Sequence, residues 1–182
     1  MEQIDLSGCS DFFITSDTFF GRSAIINIAN RPFSSVDEMN ETLIKNWNKV
    51  VKKDDTIVHL GNFAWDPIIA KKVIRKLNGN IILIEGSDDS AMLDVYEAFN
   101  NITIPTSAII YSSDMSSVFC HWPLMQWKGK GSGVIHFHGN TVYSHKSDFG
   151  VSPRINVCTD FWNYSPIRYS AIKEFIEHEQ EK

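Results

Sequence analysis

The sequence predicts an α/β fold of two packed, mainly mixed β-sheets flanked by helices, formed as a single domain over residues 1–182. Three observations predict it. The first half alternates short β-branched runs with amphipathic helical segments, whereas the second half is a series of strand candidates with little helix between them. In 182 residues, 43% are hydrophobic, enough for one sizeable core.

The elements follow in order. "DFFIT" at 11–15 is aromatic and β-branched, a first strand delivering Ser16, Asp17 and Thr18 into a loop. Ser35 and Glu38 fit a capping box, and Val36, Met39, Leu43, Trp47 and Val50 recur at helical spacing, so this stripe is core. "DTIVHLG" at 55–61 is a second strand ending on Gly61-Asn62. Ile68 to Leu77 reads as a helix stopped by Asn78-Gly79. "NIILIEG" at 80–86 is a third strand, and "LIEGSDDS", Leu83 to Ser90, carries it into a tight polar loop. Adjacent aspartates are common turn chemistry, yet the carboxyl end of a strand is where α/β proteins hold ligands. After a short helix near Ala91 to Phe99 come four strand candidates, "ITIPTSAIIY", "SSVFCHW", "GVIHFHG" and "RINVCTD". A charged helix from about Ser170 closes the chain, and its last residues, "EHEQEK", are expected to fray.

Composition narrows the function. A net charge of -5 argues against a generic binder of nucleic-acid backbones, which needs a basic face. Cys9, Cys120 and Cys158 are far apart with no C-x-x-C pair, which suggests neither a disulfide framework nor a zinc knuckle and fits reduced thiols in the cytoplasm. The acidic start "MEQIDLSGCS" is not a signal peptide, and no stretch approaches the roughly 18 apolar residues of a membrane span.

The strand ends taken together carry a resemblance. "TSDTFFG", "NRPF", "HLGNF", "GSDD", "FCHWP", "HFHGNTV" and "FWNY" resemble, in order and context, the motifs of the calcineurin-like metallophosphoesterases, above all their small bacterial and phage members. Those motifs typically read T-S-D-x-H-F-G-H, N-R-P-F, L-G-D-F, G-N-H-D, S-H-Y-P, H-G-H-x-H and W-N-Y. The resemblance spans nearly the whole chain. It implies a two-sheet α/β sandwich and two divalent ions in a cluster of aspartate, histidine and asparagine. A bridging aspartate would hold both ions, metal-bound hydroxide would attack phosphorus, and the histidine of G-N-H-D would help the leaving group depart.

Carried over residue by residue, the pattern breaks at the chemistry. Asp17 keeps the first-strand aspartate, but the histidine two residues on is Phe19. The bridging aspartate is Asn62. The asparagine of G-N-H-D is Ser87 and its histidine is Asp88, while Asp89 keeps the closing aspartate. His121 keeps the histidine of S-H-Y-P, and both ligand histidines of G-H-x-H are replaced, by Asn140 and Val142. A positioned general acid alone is worth about 10² to 10⁴-fold. The expectation is therefore a remnant pocket of these nine residues with no catalytic residue and no metal cofactor. The remodelled alternative is one Mn²⁺ or Mg²⁺ held by Asp17, Asn62, Asp88 and His121.

Other features receive plainer readings. His136 and His138 alternate on one strand and so share a face, where they read as inherited structural residues rather than a zinc pair. "WKGKGSGV", Trp127 to Val134, combines two lysines and three glycines without P-loop spacing and reads as a mobile loop; the resemblance implies a place beside the active-site mouth, where it could equally form part of a binding rim. Trp122, Trp127 and Tyr143 are candidates for an interface. The functional expectation is a cytoplasmic, catalytically inactive protein that binds and regulates or inhibits another macromolecule, a protein partner above all, with a phage-encoded inhibitor of a host protein as one form. The alternatives are a nucleotide or phosphometabolite binder and a residual one-metal phosphodiesterase.

Overall fold

The computed structural model describes residues 2–6, 11–143 and 147–181. Strands and helices are numbered along the chain. One sheet has six strands in the order β1 (Glu2–Ile4), β6 (Ile109–Ser112), β7 (Ser117–Cys120), β8 (Ile135–His138), β10 (Arg154–Asn156) and β9 (Ser147–Asp148). The other has five, β11 (Ile167–Arg168), β2 (Phe13–Thr15), β3 (Thr56–His59), β4 (Asn80–Leu83) and β5 (Ile102–Thr103). Both are mixed. β2 to β5 run parallel beside antiparallel β11, and the larger sheet combines parallel pairs with antiparallel β6–β7 and β9–β10.

Side-chain alternation explains why both faces of the smaller sheet are buried. Ile14, Val58, Leu60 and Ile84 point to the layer between the sheets, where they meet Ile110, Phe119, Phe137 and Ile155. Those four larger-sheet residues are register partners and form one row across it, with the Phe119 and Phe137 rings stacked at 5.5 Å. Ile172 and Ile176 of α5 (Tyr169–Gln180) close this layer. On the opposite face, Phe13, Ile57, Ile81 and Leu83 pack under the helices. α2 (Val36–Val50) buries Met39, Leu43 and Trp47, and α3 (Pro67–Ile74) buries Ala70, Val73 and Ile74. Two short helices, α1 (Ala24–Ile28) and α4 (Leu93–Glu97), complete it.

Several local expectations are corrected. Ser35 Oγ accepts from the Glu38 amide at 3.1 Å, but the Glu38 carboxylate turns to the amide and hydroxyl of Ser34 instead of closing the box on Ser35. α3 starts on Asp66, whose carboxylate accepts from Ile68 N and Ile69 N at 2.9 Å, with Pro67 in the first turn. "ITIPTSAIIY" is not one strand. It divides into β5 and β6 around Pro105, which has no N–H for a ladder. α5 is helical through Gln180. "WKGKGSGV" is a pinned turn. The Gly131 and Gly133 amides donate to Ser152 Oγ at 2.8 and 3.2 Å, and Trp127 Nε1 donates to Val134 O at 3.1 Å. Cys120 and Cys158 are free thiols, while Cys9 lies outside the described residues. Among the described residues no helix is long and apolar enough to cross a membrane.

Truncating the central row tests this packing. Phe137→Ala should cost about 3–5 kcal/mol in urea unfolding, because the cavity lies between two sheets and cannot collapse. Ile68→Ala, at an exposed helix position, should stay within about 0.5 kcal/mol.

Candidate functional site

The carboxyl ends of β2, β3 and β4 meet those of β7, β8 and β10 at one end of the molecule. A parallel bridge between Ser16 and Cys158 joins them, with Ser16 N donating to Val157 O at 3.1 Å and Thr159 N to Ser16 O at 3.0 Å. The loops leaving these strands are bent by left-handed residues. Asp17, Phe19, Asn62 and Asn140 have φ of 56°, 49°, 54° and 56°. Asparagine and aspartate tolerate this region, but phenylalanine does so only under constraint. Gly61 and Gly86 let two loops touch, since a Cβ on Gly61 would lie 2.4 Å from Gly86 N.

The constraint comes from Arg31, in "NRPF". Its guanidinium donates to Asp17 O at 2.7 Å and Thr18 O at 3.0 Å, and grips both oxygens of Asp160 at 2.8 and 2.7 Å. Both partners are buried. Phe33 packs edge-on against Tyr164 at 4.9 Å, so "NRPF" and "FWNY" form one contact. The sequence marked both segments as family-like without revealing that they hold the Asp17 loop.

Asp17 is fully buried, and its carboxylate is filled by protein donors. Oδ1 accepts from Asn62 Nδ2 at 2.9 Å, and Oδ2 accepts from Asn140 N and Ser16 Oγ, each at 2.8 Å. Burial raises its pKa, against the lowering effects of His121 and these hydrogen bonds. Asn62 completes the link, because its Oδ1 accepts from Asp88 N at 3.0 Å and Ser87 Oγ at 3.2 Å. Asp89 is a buried staple. Its oxygens accept from the amides of Asn62, Phe63 and Gly86 and from the Tyr96 hydroxyl at 2.6 to 3.1 Å.

Asp88 is elsewhere. It turns to Arg22, whose Nη1 donates at 2.6 Å, while the guanidinium lies 4.8 Å from the Phe19 ring centroid and 4.4 Å from that of Trp65. Of the remodelled set, Asp88 is therefore drawn away from the others. Asp17 and Asn62 bond each other, Asp88 faces Arg22, and His121 Nδ1 donates to Leu60 O at 2.6 Å, leaving a buried Nε2 without a protein partner. Among the described residues no group of three or more His, Cys, Asp or Glu side chains is arranged to hold a metal ion. A binuclear centre does not fit this donor set, since an amide N–H stands beside Asp17 where two cations would need a shared anion.

His59, His136 and His138 each have protein partners. His59 Nδ1 accepts from Gly61 N at 3.2 Å, so Nε2–H donates to Thr18 Oγ1, which donates onward to Phe63 O. His136 and His138 share a face, as their spacing predicts. His136 Nε2 accepts from Leu124 N at 2.9 Å and its ring packs on Trp127, while His138 Nδ1 donates to Gly139 O. Above Asp17, Phe19, Arg22, Asn140 and Val142 help to line a pocket of about 200 Å³. Tyr143, 71% exposed, stands on its rim, and Trp65 and Trp122 are 51% and 41% exposed nearby, over Arg22 and against His121. Trp127 is held by its loop and is not part of this rim. Arg22, Arg31, Trp65, Tyr96 and Asp160 were missed by sequence reasoning.

No family model matches the chain. The uncharacterized protein MJ1445 of Methanocaldococcus jannaschii is 33% identical over 172 residues, covering 91% of this chain and 90% of that protein. The chain belongs to the MJ1445 family. Its fold is that of a protein of unknown function from Aquifex aeolicus, AQ665, whose crystal structure aligns with a TM-score of 0.69 at 23% identity over 91% of this chain and 98% of that one. A structure described as a novel archaeal phosphodiesterase aligns with a TM-score of 0.47 at 19% identity over 80% of this chain and 82% of that one.

Two measurements test this wiring in this member of the MJ1445 family. Arg31→Ala strands a buried carboxylate and two carbonyls and should cost about 3–5 kcal/mol. Arg22→Ala, at a part-exposed pair, should cost no more than about 1 kcal/mol. The second concerns pH. Burial pushes His59 and His136 down to about 3 and His138 to about 4, from an ordinary 6.5. Their stabilising share is complete above pH 6.5 and is lost as pH falls through the folded values, because only the unfolded chain takes up the protons. Unfolding free energies from urea melts between pH 6 and 5 should fall with a slope approaching about 4 kcal/mol per pH unit, reduced by about a third in His59→Gln. Asp17 acts in the opposite sense. Its folded pKa is raised, so its share is present below its ordinary 3.8 and lost as pH rises through the folded value, and Asp17→Asn should steepen the acid slope.

Proposed function

We propose that the chain is a metallophosphoesterase-like scaffold whose catalytic cavity is closed by protein hydrogen bonds, and that it acts by binding and regulating a protein partner. The observation that carries this reading is the Asp17–Asn62 contact. Both Asp17 oxygens are taken by protein donors, and the amide at the bridging position presents N–H where the family chemistry requires a carboxylate. The motif resemblance along the strand ends supports the scaffold. The exposed side chains around the pocket support the binding role, since Trp, Tyr and Arg dominate the energetics of interfaces. A phage origin is no part of the proposal, because the curated relative is archaeal and lends it no support.

Calorimetric titration of Mn²⁺ into chelator-stripped protein tests the cavity. The expected outcome is no binding heat and no turnover of a generic phosphodiester with Mn²⁺ present; two tightly bound ions would overturn the reading. Asn62→Asp should lose about 3 kcal/mol or more in metal-free buffer, because it sets two carboxylates against each other at a buried position. For the partner, affinity capture should recover a protein with the wild type that is lost with Trp65→Ser combined with Tyr143→Ser. A partner equally retained by both would move the interface elsewhere.

A further inference from the structure

We infer that the exposed face formed by the C-terminal halves of α2 and α3 binds the phosphate backbone of double-helical DNA without reading its sequence. The inference is independent of the pocket and its partner, because this face lies at the other end of the molecule. α2 leads into β3 and α3 into β4, so both helices end beside the amino ends of strands whose carboxyl ends gather the site. There the two helix ends are bonded together. Asn48 Nδ2 donates to Lys76 O at 2.7 Å, Asn78 N donates to Asn48 Oδ1 at 2.8 Å, and Trp47 Nε1 donates to Asn78 O at 2.9 Å.

Positive charge is concentrated on this face. Residues 45–78 carry eight Lys and Arg against three Asp and Glu, a net charge of +5 within a chain whose net charge is -5. α2 and the turn after it supply Lys45, Lys49, Lys52 and Lys53, while α3 and its exit supply Lys71, Lys72, Arg75 and Lys76, all of them exposed. Of the three acids, Asp66 caps the far end of α3 and Asp55 accepts from Lys52 N at 2.7 Å. Among the described residues none of the eight cations forms an ion pair, and the residues outside the described ones include no Asp or Glu. One cation near the end of each helix satisfies the helix dipole. Here the cations double up as Lys45–Lys49, Lys71–Arg75 and Lys72–Lys76, like charges four residues apart that repel along a helix. A polyanion laid across them turns that repulsion into attraction.

The side chains select the polyanion. Protein interfaces are depleted in Lys and centre on aromatic and apolar anchors, and single-stranded nucleic acid is held by stacking on aromatic rings. Seven of the eight cations are lysine, and no large apolar side chain is exposed at 41–55 or 71–80. What remains is point-charge contact with phosphates. The cations of each pair stand about 6 Å apart along the helix. Helices packed side by side are roughly 8–10 Å apart, so rows on α2 and α3 reach the two phosphate edges of a DNA major groove about 12 Å wide. The major groove of an RNA duplex is narrower, and a lipid surface presents no paired edges.

Fluorescence anisotropy with a labelled mixed-sequence DNA duplex of about 20 base pairs tests this. Binding should be saturable at about 50 mM salt, and log K should fall against log[salt] with a slope between about -4 and -7, the release expected from roughly five to eight phosphates. Lys45→Gln combined with Lys76→Gln should weaken binding about tenfold and make the slope shallower by about 2, with the wild-type unfolding midpoint kept. Two control pairs, Lys128→Gln with Lys173→Gln and Trp65→Ser with Tyr143→Ser, lie off this face and should bind as the wild type does. The inference is overturned by no binding at that salt, by a slope shallower than about -2, by equal loss in either control pair, or by tighter binding of duplex RNA, poly-glutamate or phosphatidylserine vesicles than of DNA. Failure of the pocket reading shows separately, as Mn²⁺ uptake or as a captured partner that Trp65 and Tyr143 do not hold.

Discussion

The buried pair of Arg31 and Asp160 is the constraint on which the rest of this end of the molecule depends. A guanidinium is always charged and presents donors in a fixed fork, so its geometry dictates where its acceptors must lie. Here one side of the fork fixes Asp160, after β10, and the remaining donors fix the carbonyls of Asp17 and Thr18, after β2. Two strand ends from different sheets are thereby held at hydrogen-bond distance. Replacing the ion pair by apolar residues could recover packing energy. It could not orient two backbone carbonyls, and without that orientation the turn through Asp17 and Phe19 has no reason to remain left-handed.

Given that turn, Asn62 is suited to its place by being both donor and acceptor. Its Nδ2 satisfies Asp17 while its Oδ1 satisfies Asp88 N and Ser87 Oγ, so one amide ties the β2, β3 and β4 loops together. An aspartate there could make the second set of bonds but not the first. Two facing carboxylates would need a cation or a proton between them, whereas an amide needs neither. The same logic explains Asp89, whose acceptors are matched by three amides and a hydroxyl. The loop that looks like a cluster of exposed acids is one buried anchor and one surface ion pair.

How much of this was legible follows from the range of each interaction. The α2 stripe and the long strands were readable because periodicity is a local property, and Met39, Leu43 and Trp47 lie where their spacing put them. β1, β9 and β11 escaped because two or three residues carry no period, and they pair only because a neighbour is already in place. The motif segments located the strand ends that gather the site. What they could not give was direction. Asp88 and Arg22 are 66 residues apart and Arg31 and Asp160 are 129 apart, so nothing in the local sequence announces either pair. Equally, the glycine-rich loop offers free amides on paper, and only the fold reveals Ser152 in their grasp.

Phe19 shows how the wall of this pocket is held. A left-handed phenylalanine costs on the order of 1 kcal/mol or more, and it persists only where its surroundings fix it. Its ring is 5% exposed, forms part of the pocket wall and supports the Arg22 guanidinium from below, so burial and a cation–π contact offset the strain. Phenylalanine here forms an apolar platform beside a positive charge.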